Sequence, residues 1–126
     1  MMSRGSRIER ELFATQIHYL SGDDDDDRLS AIEALVTQTW DPAWDPDELI
    51  SQDGLPAIVA CLDDQDPRVR SAAAELLKAI TEHGEGDSVV LADALPELEE
   101  HTNDDDDIVR RKVNEVLSLL KTQGCF

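Results

Sequence analysis

The 126-residue sequence predicts an all-α domain, a short solenoid of about three similar helical units, and three observations carry that reading. Shifted by 40 residues, the segment Asp47–Leu77 lies over Asp87–Leu117 with ten of 31 positions identical and no gap. Within each copy, apolar residues recur at i, i+3, i+4 and i+7, the period of one helix face. Nowhere does the chain alternate apolar and polar residues over the length that a half-buried strand requires.

The first unit is a weaker copy at a shift of 42. Its leading helix, around Ile8, Leu12, Phe13, Ile17 and Leu20, is expected to close the N-terminal end. Asp24, Arg28, Ala31, Glu33 and Leu35 then fall opposite Asp66, Arg70, Ala73, Glu75 and Leu77. Asp27 stands where the second unit has Val69, and Leu29 is expected to supply the lost contact. In the second unit, Asp45-Pro46-Asp47-Glu48 marks a helix start, with acids at the positive end of the dipole. Leu55, Ile58, Val59 and Leu62 form one stripe, and Val69, Ala73, Leu76, Leu77 and Ile80 form the next. Asp66 is placed to cap that second helix, with Pro67 at its first position. Gly84 and Gly86 interrupt the chain behind it. The third unit repeats the pattern, but Glu99 and Thr102 replace Val59 and Leu62, as suits a cap with a polar outer side. The boundaries fall at about 8–44, 45–86 and 87–122 of a single domain.

Two segments carry a resemblance: Asp53-Gly54-Leu55-Pro56-Ala57-Ile58-Val59 and the run from Asp66-Pro67-Arg68-Val69-Arg70 to Leu77. Their copies are Asp93-Ala94-Leu95-Pro96-Glu97-Leu98 and Asp107-Ile108-Val109-Arg110. These segments are similar to the armadillo/HEAT helical-repeat superfamily, and the likeness spans about Glu9–Lys121. It implies a right-handed α-solenoid and a non-enzymatic protein–protein interaction module or adaptor.

Charge narrows the partners. Acidic residues number 29 against 11 basic ones, a net charge of −18. Nucleic-acid phosphates and anionic membrane surfaces both need a basic face, so both are excluded. Of the acids 18 are Asp, while only Lys78, Lys112 and Lys121 are lysines. That choice resembles proteins from a salt-adapted, halophilic source, where screening removes self-repulsion and carboxylates hold water. The competing reading is an acidic decoy or chaperone cofactor for a basic protein. The longest apolar run, Leu55–Leu62, is far short of a membrane span. No apolar stretch follows the N-terminal arginines, and the chain reads as cytoplasmic.

Candidate contacts lie in two places. Opposite the first stripe of the second unit are Ala57 and Asp64, with Cys61 on the flank. The repeat shift puts Glu97, Glu100, His101 and Asp104 on the equivalent face of the third. The resemblance implies that this helix lines a concave groove, which would receive a basic or helical segment of another protein. Trp40 and Trp44, in Trp-Asp-Pro-Ala-Trp-Asp-Pro, either anchor a partner or plug the seam between units. The imperfect third-unit cap leaves room for weak homo-oligomers through the solenoid ends. No catalytic, cofactor-binding or metal set is expected. His18, His83 and His101 have no second His or Cys at ligand spacing, and Asp23–Asp27 and Asp104–Asp107 lack the glycine and glutamate of a calcium loop. If the acidity serves salt adaptation, the helical melting temperature rises between about 0.1 and about 3 M KCl; a melt that falls or stays flat across that range refutes it.

Overall fold

A computed structural model describes residues 13–126, and the described residues are helical without strands. Ile8 and Leu12, and with them the start of the first unit, lie outside the described residues. Helix α1 covers residues 13–20 and buries Phe13 and Leu20. Helix α2 (Asp25–Gln38) follows it, then α3 (Asp47–Ser51), α4 (Gly54–Ala60) and α5 (Pro67–Ile80). The third unit is α6 (Gly86–Leu91), α7 (Ala94–Glu100) and α8 (Asp107–Thr122). Each long helix packs on its predecessor, α5 against α2 and α8 against α5.

The start signals work as the sequence implies. Asp24 accepts from the Asp27 N–H at 3.0 Å, Asp66 from Arg68 N–H and Asp106 from Ile108 and Val109 N–H. Such caps contribute about 1 kcal/mol each. Asp27 is exposed, and Leu29 packs against the core in its stead. The second helix of the middle unit is buried on both sides through Val69, Ala73, Ala74, Leu76, Leu77 and Ile80. The small alanines let its neighbours approach closely.

Where two main helices per unit were expected, the second and third units each have three. Asp53 and Asp93 adopt left-handed backbone, φ 60° and 62°, and break what the apolar pattern presents as one helix into α3/α4 and α6/α7. Aspartate tolerates this conformation because its short polar side chain can bond locally. Helices α4 and α7 then tighten into 3₁₀ turns, Cys61–Asp63 and His101–Asn103. The chain between α5 and α6 winds through a wide turn, Thr81–Glu85, in which Gly84 takes φ 85°. No described helix is long and apolar enough to cross a membrane.

One pair of differences between the units is mutually compensating. A Cβ on Gly54 would lie 2.7 Å from both Cδ1 and the carbonyl oxygen of Leu49. The third unit has the buried Ala94 in that position, and the shorter Val89 in place of Leu49. Gly54→Ala should therefore destabilise the fold by about 1–3 kcal/mol. Adding Leu49→Val should make the double variant at least about 0.5 kcal/mol better than the sum of the singles. Denaturant titration of all four proteins checks this; strict additivity would overturn it.

Candidate functional site

Two features of the stack offer chemistry: a seam between units and a groove along the long helices. At the seam, Arg28 of α2 sends Nε to Asp64 Oδ2 at 2.7 Å and one terminal nitrogen to the Gly22 carbonyl at 2.8 Å. One unit on, Arg70 donates to both oxygens of Asp104, at 2.9 and 3.0 Å, and to the Asp64 carbonyl at 2.8 Å. The receiving carboxylates also close their own turns, since Asp64 accepts from the Asp66 N–H and Asp104 from the Asp106 N–H, both at 2.9 Å. Burial works against ionisation of Asp104, yet the Asp106 N–H, Arg70 and His101 outweigh it and hold the carboxyl down at about 2.

His101 bridges the same seam. Its Nδ1 lies 2.8 Å from Asp104 Oδ2 and its Nε2 2.8 Å from Asp63 Oδ1. Burial opposes charge on the ring, but Asp63 and Asp104 raise its pKa above the ordinary histidine value. Glu97 presses on Asp63; that contact, then burial and the charges of Asp63 and Glu100, push its carboxyl up to about 7. One oxygen of Glu97 is buried with no hydrogen-bond partner. Donor atoms of Asp63, Glu100 and His101 all lie within 4.8 Å of one another.

A groove of about 620 Å³ runs along α2, α5 and α8. Val36, Trp40 and Ala72 supply its apolar wall, and Glu33, Arg68 and Glu75 its charges. Lys112 of α8 pairs with Glu75 of α5 at its edge. Trp40, 73% exposed, stands over it.

The sequence-predicted contacts divide. Trp40 and Glu100 are exposed, and Ala57, Glu97 and His101 half-buried. Three others are buried. Trp44 is 8% exposed and meets the His83 ring edge-on, with centroids 4.8 Å apart. Cys61 is 3% exposed, because the chain tightens into its 3₁₀ turn there and rotates the thiol inward; burial pushes that thiol up to about 11. Asp104 is 8% exposed, held by Arg70. The Asp64 side chain is likewise sheltered by Arg28. A groove also lies along the long helices, away from the α4/α7 face on which the sequence places the contacts. Glu33, Arg68, Ser71 and Glu75 were missed for that reason, although Glu33 and Glu75 occupy one repeat position. The expected lack of a metal set rested on spacing along the chain, which does not register Asp63 and His101 meeting across a seam.

The chain matches the family model described as HEAT repeats over residues 15–118. No curated protein matches it. Among solved structures it is similar to an engineered protein, with TM-score 0.82 and 24% identity over 91% of this chain and 48% of that one. It is similar to a designed armadillo repeat protein in complex with the peptide (KR)4, with TM-score 0.80 and 20% identity over 89% and 48%. A computationally designed armadillo repeat protein for modular peptide recognition gives TM-score 0.82 and 20% identity over the same shares. At these identities the likeness is one of fold, and the chain spans about half the length of each of the three.

The rung makes a stability contrast. Asp104→Ala strands the Arg70 guanidinium, whose side chain is 13% exposed, and should cost about 3 kcal/mol or more. Arg110→Ala removes a side chain that is 39% exposed and paired only within its own unit, and should cost about 1 kcal/mol or less. Equal losses in urea unfolding would show that the seam does not depend on the rung.

Proposed function

The chain belongs to the HEAT repeat family, and we propose that it acts as a non-enzymatic interaction module that receives a basic segment of another protein in the groove of α2, α5 and α8. The observation that carries this reading is Trp40, a large aromatic left exposed on the wall of this groove. An indole at such a place presents a wide apolar contact at little entropic cost, which is why Trp dominates binding hot spots. The partner's charge follows from the field: at −18 the surface draws cations and repels acidic segments. The designed armadillo repeat protein of similar fold holds the alternating basic peptide (KR)4, which supports a peptide as the class of partner. Glu97, Glu100 and Ala57 lie outside this groove, so the proposed contact centres on Trp40 with Glu33 and Glu75. We also read the aspartate-rich coat as an adaptation to concentrated salt within the cytoplasm, supported by its spread along the whole chain.

Fluorescence anisotropy with labelled (Lys-Arg)4 and (Asp-Glu)4 peptides tests the proposal on the full chain. The basic peptide should bind and the acidic one should not. Trp40→Ala should weaken binding about tenfold or more, the scale of a hot-spot truncation. Binding that survives Trp40→Ala unchanged would place the partner elsewhere.

A further inference from the structure

The groove does not use the His101 cluster, which assembles from two units and has an excess of carboxylates. We propose that the seam between the second and third units is a binding site for a divalent first-row transition-metal ion, held by His101 Nε2, Asp63 and Glu100.

The histidine is already set as a ligand. Its Nδ1 is engaged by Asp104 at 2.8 Å, which fixes the ring and leaves Nε2 pointing at Asp63. A carboxylate behind a histidine is the usual outer-shell partner of a metal-bound imidazole: it sets the tautomer and raises ligand basicity. Asp104 is itself held by Arg70 and the Asp106 N–H, so the orientation is anchored two shells deep.

The remaining donors converge on the same point. Atoms of Asp63, Glu100 and His101 lie within 4.8 Å of one another, near enough for small side-chain shifts to bring them around one ion, whose bonds to nitrogen and oxygen are about 2.0–2.2 Å. An independent sign is Glu97. It stands beside the cluster with one side-chain oxygen buried and without a hydrogen-bond partner. Glu97 can supply a fourth oxygen or stay outside while water fills the open position. On binding, the ion would sit between Nε2 and the Asp63 carboxylate, now 2.8 Å apart.

The donor set selects the metal class. One imidazole with carboxylates suits Zn²⁺, Mn²⁺ or Co²⁺, whereas Mg²⁺ and Ca²⁺ prefer oxygen alone. Asp63 belongs to the second unit, and Glu100 and His101 to the third. A bound ion would therefore staple the two units and raise the melting temperature, since it binds only the folded seam.

The test is calorimetric titration of the chelator-treated full chain with Zn²⁺ in excess Mg²⁺, which occupies the general acid coat. One Zn²⁺ per chain is expected, with a rise in melting temperature and, with Co²⁺, visible absorption bands from the nitrogen-bearing site. Glu100→Gln should weaken Zn²⁺ at least about tenfold. That substitution leaves the Arg70–Asp104 rung intact, so its fold is checked by an unchanged metal-free melt. His101→Gln should abolish the Co²⁺ bands, and Glu99→Gln, on the same helix but outside the cluster, should change nothing. Wild-type affinity in both Glu100→Gln and His101→Gln, or no saturable site in competition with Mg²⁺, would overturn the proposal.

Discussion

The stack depends on a charged rung placed between otherwise apolar surfaces. Hydrophobic burial supplies most of the favourable energy of folding, but it is non-directional and tolerates sliding. The guanidinium forks of Arg28 and Arg70 are directional: each grips its own unit through a backbone carbonyl and the next through a carboxylate. The carboxylate in turn closes the turn that starts the next long helix. A single aspartate thus ties local turn geometry to the register between units. Once a guanidinium has been withdrawn from water at the seam, a displaced partner leaves it uncompensated, and alternative registers become costly.

That arrangement divides the acids by task. Asp24, Asp66 and Asp106 cap helices, Asp64 and Asp104 hold arginines, and Asp53 and Asp93 turn the chain through left-handed backbone. Much of the carboxylate excess that dominates the composition is therefore spoken for within the fold. The surface left for a partner is defined less by acid count than by shape, through the groove and the indole above it. The two tryptophans of one short motif separate cleanly: Trp44 is buried beside His83, while Trp40 faces outward.

The sequence was informative where structure follows from local periodicity. The helix starts at Asp24, Asp66 and Asp106, the apolar stripes and the substitution of Leu29 for a missing valine contact all read directly from spacing. The break at Asp53 did not, because a left-handed aspartate has no reliable signature within an otherwise helical pattern. The groove along the long helices was not read from the sequence for a different reason. An amphipathic pattern says which face is buried, but not which of two exposed helix faces is concave, and that depends on how units stack. Arg70 and Asp104 did carry a legible hint, since Arg28/Arg70/Arg110 and Asp64/Asp104 recur at fixed repeat positions. Periodic charge in a buried neighbourhood implies periodic pairing. The meeting of His101 with Asp63 left no such trace, because only one unit has the histidine.

The rungs also have a sense of direction. Arg28 and Arg70 each reach forward to the aspartate of the unit that follows. The first unit has Gly22 at the position of Asp64 and Asp104, so its leading side offers no carboxylate acceptor at that place. Arg110 of the third unit holds the same carbonyl grip as Arg28 and Arg70. Its other terminal nitrogen pairs with Asp107 on the same helix and not with a neighbouring unit. The two faces of the stack are therefore unlike, a plug without a pin and a socket with one. An end-to-end copy would set Arg110 against Gly22 instead of an aspartate, so the pairing that joins units within the chain would have no counterpart at that place.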